Sequence, residues 1–338
     1  MTQRAVFALT AQGAKLARSL GSGLAADVYL PRNLAGPEES SFAHLKDAVN
    51  QAWTAYTQLV FIAAIGIVVR TIAPLLQGKD RDPAVVVLDQ QGHFAVSLIS
   101  GHLGGANDLA REVAALTQGE AVITTATDCQ GLTAIDQIAR NLDMLPEPVT
   151  AIKKINSALL ENRPVHILDP EDRLRWGTSF PPGYVPAETG VGSGPLVKVS
   201  WQADSPARAD LVLHPRCLVA GMGCNTLTSS REILELIRSV FARHNLALAS
   251  LRCLVSTSKK AEETGLHQAA TELGVEFICI PHQRLQNIIV PNPSATVHKH
   301  MGVSSICEAT ALLHTNFGRL LIPKTKSTNA TLAVSLLP

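Results

Sequence analysis

The sequence predicts an α/β protein in three parts. These are a mainly parallel α/β domain over residues 1–140, a small proline-rich domain over 141–215 and a second α/β domain over 216–338. Three observations predict it. Continuous apolar runs such as FIAAI (61–65) and AVVVL (84–88) lack the alternation of a one-faced strand and fit strands covered on both sides. Helical patterns lie between these runs, the order that builds a parallel sheet. From Pro146 to Pro215 prolines recur, and the run ETGVGSGP (188–195) breaks every periodicity.

The elements follow in order. RAVFALT (4–10) reads as a strand and AQGAKLARSL as its helix, stopped by Gly21 and Gly23. ADVYL is a second strand. After the loop PRNLAGPEES, Ser41 is placed to cap a helix carrying Phe42, Leu45, Val49 and Trp53 on one face. QLVFIAAI is a strand, IVVRTIAPLL a short helix and PAVVVLD a strand. HFAVSLI then runs into Gly101-His102-Leu103-Gly104-Gly105, and a helix begins at Asn107. AVITTAT and GLTAIDQIARNL are a further strand and helix. In the middle, only TAIKKINSALLEN and PVHILD have the texture of a helix and a strand. Beyond Pro215 the rhythm returns: RCLVAGMG, SREILELIRSVFARH, LRCLVSTS, HQAATELG ending at Gly274, VEFICIP, SSICEATALL, GRLLIP and NATLAVSLL.

Composition narrows the function. Aromatics are 4% against 46% hydrophobic residues, so the cores are aliphatic. The net charge of +1, with no long block of either sign, argues against nucleic acid as a partner, since that affinity needs a basic surface. The most apolar stretch, residues 59–76, is split by Gly66, Arg70 and Pro74 and is shorter than the ~20 residues that span a bilayer, so no membrane partner is expected. MTQRAVFALT lacks the apolar core and cleavage site of a secretory signal. Cysteines 129, 217, 224, 253, 279 and 307 form no CxxC pair and read as reduced thiols of a cytoplasmic protein.

Three glycine-bearing junctions between strand and helix are the candidate sites. The first is Gly101 to Asp108, including Gly104, Gly105 and Asn107; Asn107 or Asp108 can cap the helix that follows. The second is Gly221-Met222-Gly223-Cys224, with Ser229 and Glu232 in capping-box spacing. The third is Gly302 to Ser305, with Ser305 and Glu308 in the same spacing. Free amides at helix N-termini receive anions, so each junction is suited to a phosphate or a carboxylate. A glycine turn is also ordinary connection geometry, and GMGCNT and GHLGGAN match neither the dinucleotide fingerprint nor the P-loop. His102, inside the first turn, has the near-neutral pKa of a general base and equally suits a structural role. His298-Lys299-His300 has no carboxylate or cysteine beside it in a ligand pattern, so no metal site is expected. The charged cluster Ser258 to Glu263 follows a strand at the edge where α/β sites form. PKTKST (323–328), with Lys324 and Lys326, reads as a polar loop.

Several of these segments resemble one family. GIVVRTIAPLL, DPAVVVLDQQGHFAVSLISGHLGGANDLA and ITTATD are similar to the N-terminal domain of the CbiG family, the cobalt-precorrin-5A hydrolases of anaerobic cobalamin biosynthesis. GMGC, STSKKAEETGL, GVSSICEATAL and LLIPKTKS resemble the family's C-terminal domain, which is related to CobE. The resemblance implies a Rossmann-like N-terminal domain and a ring-contracted cobalt tetrapyrrole as substrate. It implies that the enzyme opens a lactone on the macrocycle, releases acetaldehyde and yields cobalt-precorrin-5B. Cobalt would arrive with the substrate, so no separate cofactor is implied.

On that reading His102 is the candidate catalytic base, and the amides from Gly104 to Asn107, beside Gly101, meet the lactone or a carboxylate. Lys260, Glu263, Ser305, Lys324 and Lys326, with Gly221, Gly223 and Cys224, are assigned to substrate binding, and Glu308 is the alternative acid or base. One departure is visible. The family pattern follows GxGC with basic residues and a glycine, where this chain has Asn225-Thr226-Leu227. Two competing functions stand beside the hydrolase: a non-catalytic corrinoid carrier, and a nucleotide-dependent enzyme that lacks a P-loop lysine. Transient contacts with other cobalamin-pathway enzymes and a homodimer stay open.

Overall fold

The computed structural model describes residues 3–78, 81–187, 194–203, 209–286, 288–293 and 303–338. His298, Lys299, His300, Gly302 and most of ETGVGSGP lie outside the described residues. The chain forms two compact units. One comprises Met1–Asn141, Pro148–His166 and Thr178–Pro195; the other comprises Leu142–Glu147, Ile167–Gly177 and Leu196–Pro338. Among the described residues no helix is long and apolar enough to cross a membrane.

The first unit is built on a seven-stranded sheet. Its strands are β1 (Arg4–Ala8), β2 (Asp27–Pro31), β3 (Ser40–Phe42), β4 (Gln58–Ile62), β5 (Ala84–Leu88), β6 (Phe94–Ile99) and β7 (Glu120–Val122), in the order β3-β2-β1-β4-β5-β6-β7. The strands β1 to β5 are mutually parallel, β6 is antiparallel to β5, and β7 is parallel to β6. Every residue of β4 and β5 is buried, as their unbroken apolar runs predict. Val60, Ile62, Val86 and Leu88 pack on one face with α1 (Ala11–Leu24) and α4 (Ala106–Thr117). Leu59, Phe61, Val85 and Val87 pack on the other with α2 (Leu45–Ala55) and α3 (Ile65–Ile72).

Two expectations for this unit are corrected. Gly21 and Gly23 do not stop α1, which runs to Leu24; a Cβ on Gly21 would lie 2.5 Å from Val28 Cγ2, so this glycine serves close packing of helix on strand. Ser41 is not a helix cap but part of β3, and α2 starts after His44 without a side-chain cap. Pairing of β3 with β2 determines that segment more strongly than local capping preference.

Short helices α5 (Ala126–Cys129) and α6 (Ile135–Asn141) lead to β8 (Met144–Glu147), α7 (Ile152–Leu160), β9 (Val165–Leu168), β10 (Tyr184–Pro186), β11 (Leu196–Val199) and β12 (Leu211–Pro215). The proline-rich middle is therefore richer in strands than its texture predicts. In the second unit β11 pairs with β12 in parallel, and β12 pairs antiparallel with β8, Leu213 facing Pro146. β8 is an edge strand, where proline's missing N–H is tolerated.

The second unit also holds the sheet β15-β14-β13-β17-β16, made of β13 (Leu218–Cys224), β14 (Leu251–Thr257), β15 (Glu276–Ile280), β16 (Arg319–Lys326) and β17 (Ala330–Leu336). β13, β14 and β15 are parallel; β17 runs antiparallel to β13 and to β16. Helices α8 (Ser230–Arg243) and α9 (Thr264–Leu273) cover one face through Ile233, Ile237 and Leu266. Helix α10 (Ile306–His314) covers the other through Ala309, against Val219 and Val255, with the Cys307 carbonyl close over Gly221. Gly274 ends α9 in the left-handed conformation at φ +63°, as its position predicts.

Candidate functional site

The first junction owes its place to the reversal between β5 and β6. Because β6 is antiparallel, Ile99 faces Val85, and the turn after β6 opens at the edge where β5 begins. The backbone is left-handed at Ser100 (φ +58°) and Gly105 (φ +85°). Gly104 is needed for close approach: a Cβ there would lie 2.5 Å from Ser100 Cβ and 2.9 Å from its carbonyl oxygen. The turn consumes its own donors. Gly105 N donates to His102 O at 3.0 Å, Ala106 N to Ser100 O at 3.1 Å and Asn107 N to Gly101 O at 3.0 Å. The amides from Gly105 to Asn107 are thus bonded within the turn rather than presented to an anion, because a tight glycine turn satisfies buried donors locally.

What the turn offers instead is a cluster of side chains. His102 Nε2 lies 2.6 Å from Asp128 Oδ2, and Nδ1 lies 3.5 Å from Asp136 Oδ1. Asp128 also accepts from Thr125 Oγ1 at 2.6 Å, Asn107 Nδ2 at 3.0 Å and the Arg111 guanidinium at 2.6 Å. Asp136 accepts from Asn156 Nδ2 at 2.9 Å. Asn107 is buried and does not cap α4; it bridges Ser97 to Asp128. Asp108 does not cap either, and pairs with Arg111 and Arg140.

The electrostatics follow from this arrangement. Burial pushes the His102 imidazole toward the neutral form, but the Asp136 and Asp128 carboxylates outweigh it and raise its pKa above the ordinary 6.5. Burial would raise Asp128, yet Thr125, His102 and Arg111 hold it down at about 2. Asp136 is lowered as well: its burial is outweighed by His102 and Asn156. The two carboxylates thus favour the protonated imidazole, the form that donates a proton rather than accepting one.

In the second unit the sequence-derived residues lie on the central strand β13, after β14, at the start of α10 and on β16, and not as glycine turns. Gly221 and Gly223 lie inside β13. A Cβ on Gly221 would sit 1.9 Å from Cys307 O, and one on Gly223 would sit 2.7 Å from Thr331 Oγ1, so these glycines admit α10 and β17 rather than an anion. Cys224 ends β13 opposite Ala330, and Lys326 stands opposite Thr331. Lys324 and Lys326 therefore belong to β16, not to a loop, because pairing with β17 continues past Pro323.

Lys260 donates to Glu263 at 2.7 Å, and Leu227 N donates to the other oxygen of Glu263 at 3.1 Å. These contacts, with Lys260 first, lower the Glu263 pKa. A cavity of about 410 Å³ opens there, among Thr226, Leu227, Ser229, Lys259, Glu263 and Gln268. Only half of the expected capping box at α8 forms: Ser229 Oγ accepts from Glu232 N at 3.3 Å, while the Glu232 carboxylate instead binds Ser327 and Asn329.

Glu308 differs from its expected roles. It is fully buried and does not close a capping box with Ser305, whose hydroxyl lies 3.5 Å from Cys307 Sγ. Its carboxylate accepts from Asn292 N at 3.0 Å, Asn292 Nδ2 at 2.8 Å and Lys324 N at 2.9 Å. It fastens α10 to β16 and to the segment around Asn292. That geometry leaves it no open face for acid–base work.

Three family models match consecutive segments of the chain. They are Cobalamin synthesis G N-terminal over residues 47–128, Cobalamin biosynthesis central region over 133–215 and Cobalamin synthesis G C-terminus over 218–335. A cobalt-precorrin-5A hydrolase of Priestia megaterium is 31% identical over 366 aligned residues, covering 100% of this chain and 96% of that protein. The chain belongs to the cobalamin synthesis G family. A cobalt-precorrin-5A hydrolase of Salmonella typhimurium is 34% identical over 322 residues, 91% of each protein. Protein CobE of a Sinorhizobium species is 29% identical over 123 residues, 35% of this chain and 79% of that protein.

Set on the family segments, the His102 cluster joins two of them. His102, Asn107, Arg111 and Asp128 fall in the N-terminal segment, whereas Asp136 and Asn156 fall in the central one. The sequence drew attention to Asp128 within ITTATD but assigned it no role. Thr125 lies in the same run, and Arg111, Asp136 and Asn156 belong to no candidate site. A single chain carries no signal for them, since each is a common polar residue on a short element, and only the fold brings it to His102.

Proposed function

We propose that this chain hydrolyses cobalt-precorrin-5A in cobalamin biosynthesis, opening the lactone on the macrocycle and releasing acetaldehyde to give cobalt-precorrin-5B. The observation that carries the reading is relatedness along the whole chain to proteins named cobalt-precorrin-5A hydrolase, at 31% and 34% identity. The His102 cluster supports it chemically. Water adding to a lactone carbonyl builds charge on oxygen, and the departing alkoxide needs a proton; a preorganised charged donor serves both. Cobalt enters as part of the substrate.

Lys324 and Lys326 are the proposed partners for acetate and propionate groups on the macrocycle, since ammonium groups bind carboxylates as point charges. Lys260 is held by Glu263 and contributes through that pair. We place the reaction in the cytoplasm, a reading supported by six free cysteines.

The test is acetaldehyde release from cobalt-precorrin-5A by the purified protein, followed beside His102→Ala. Wild-type release with a loss of at least about 100-fold in the variant is the expected result, the size typical of one proton-transfer group. Substrate bound but never converted by the wild type would instead identify a carrier. Near-normal turnover by His102→Ala would remove His102 from the reaction.

A further inference from the structure

The imidazole of His102 is held from two sides, and the two sides are unequal. The Nε2 contact to Asp128 is short, 2.6 Å, and Asp128 is itself fixed by Thr125, Asn107 and Arg111. The Nδ1 contact to Asp136 is 3.5 Å, long for a full hydrogen bond, and Asp136 is fixed by Asn156. The histidine side chain keeps about a tenth of its surface exposed. The Nε2 proton is therefore committed within the protein, while the Nδ1 proton is loosely held and open to competition from a substrate oxygen.

We propose that Asp128 and Asp136 are positioning residues that keep a proton on each nitrogen of His102, so that its Nδ1 serves as a two-way proton carrier. This rests on the reading of the chain as a cobalt-precorrin-5A hydrolase. In the first step the water oxygen bonds to the acyl carbon, the acyl–oxygen bond breaks, and Nδ1–H gives its proton to the departing alkoxide. Both protons of the attacking water go to solvent as the new carboxylate forms. In the second step the hydroxyl just formed returns its proton to Nδ1, the carbon–carbon bond breaks, and a carbonyl forms on the fragment that leaves as acetaldehyde. The electron pair of that bond passes into the conjugated macrocycle of the substrate. His102 ends as it began.

The charged and titratable groups around the ring are few. Asp128 on α5 and Asp136 on α6 face it directly, Arg111 on α4 acts through Asp128, and the Tyr184 phenol on β10 interacts with Asp136. Removing Asp136 leaves one carboxylate, so the ring should lose its proton at lower pH.

The experiment is a titration of the His102 imidazole by NMR in the substrate-free protein, for wild type, Asp136→Asn and Asp128→Asn. It is read beside the pH profile of acetaldehyde release and the KM for cobalt-precorrin-5A. We expect both variants to titrate at least about one pH unit below wild type, a tenfold change in proton affinity. The alkaline limb of the rate profile should move by the same amount, with KM within twofold. A purely structural role would lower the amount of folded enzyme without moving either midpoint. Asp128→Asn, on a more exposed residue, keeps the test alive if Asp136→Asn fails to fold. An unchanged His102 midpoint in a folded variant overturns the positioning role while wild-type turnover leaves the hydrolase reading standing. Absence of acetaldehyde from the wild type overturns that reading and the proton carrier with it, whatever the titration gives.

Discussion

Replacing Glu308 by alanine removes the common acceptor of three hydrogen bonds, of 3.0, 2.8 and 2.9 Å, at a residue with no exposed surface. A hydrogen bond to a charged acceptor contributes roughly 1.5–3 kcal/mol. Simple addition of three overstates the loss, since bonds sharing one acceptor are coupled and the carboxylate's own burial is unfavourable. Allowing for that coupling, and for Asn292 being exposed enough for its freed N–H groups to meet water, we take about 3–5 kcal/mol, below the simple sum, as the expected destabilisation of the second unit. With a urea slope of about 2 kcal/mol/M, the midpoint should fall by roughly 2 M. Glu308→Gln should fall in between, at about 1–3 kcal/mol. Its one oxygen can still accept from Asn292 Nδ2 and Lys324 N, but its amide then meets the Asn292 N–H donor to donor. Urea unfolding followed by far-UV circular dichroism measures both. If the alanine variant unfolds within about 1 kcal/mol of wild type yet loses turnover, the structural assignment fails and Glu308 becomes a reacting group.

Two further predictions follow from local geometry and charge. Leu227 is 92% exposed and held at φ +62°. The left-handed conformation costs a side-chain-bearing residue about 1–2 kcal/mol, partly offset by glycine's greater chain entropy. Leu227→Gly should therefore stabilise the protein by about 0.5–1 kcal/mol in thermal unfolding; destabilisation would mean that the leucine has a partner. Stability of the first unit should also depend on pH from both sides. The Asp128 pKa falls from 3.8 to about 2 on folding, so its contribution is present above 3.8 and is lost as acid approaches 2. The His102 pKa rises above 6.5 on folding, so its contribution is present below 6.5 and is lost as pH climbs through the folded value. Urea midpoints should peak between these limits; His102→Ala should flatten the alkaline side and also weaken the acid side, since His102 helps to hold Asp128 low.

Much of the architecture is written in short-range pattern. The buried strands β4 and β5 appear as unbroken apolar runs, and the end of α9 appears in Gly274, because burial on both faces and left-handed backbone each restrict residue choice at one position. The strands β8, β10, β11 and β12 are not visible in this way. They are three to five residues long, and several contain or end in proline, so pairing with neighbours rather than local preference makes them strands.

The sequence by itself determined the family, the α/β class and the segments in which chemistry is concentrated. Only the tertiary structure decided what the residues in those segments do. It put Asp128 and Asp136 on either side of His102, where the two carboxylates raise the imidazole's pKa. It placed Gly221 against Cys307, and Glu308 between Asn292 and Lys324, turning an expected anion turn and an expected acid into packing and fastening. The reason is physical. Backbone pattern follows from interactions a few residues apart, whereas a side chain's protonation and reach depend on charges and hydrogen-bond partners that lie far off in the chain.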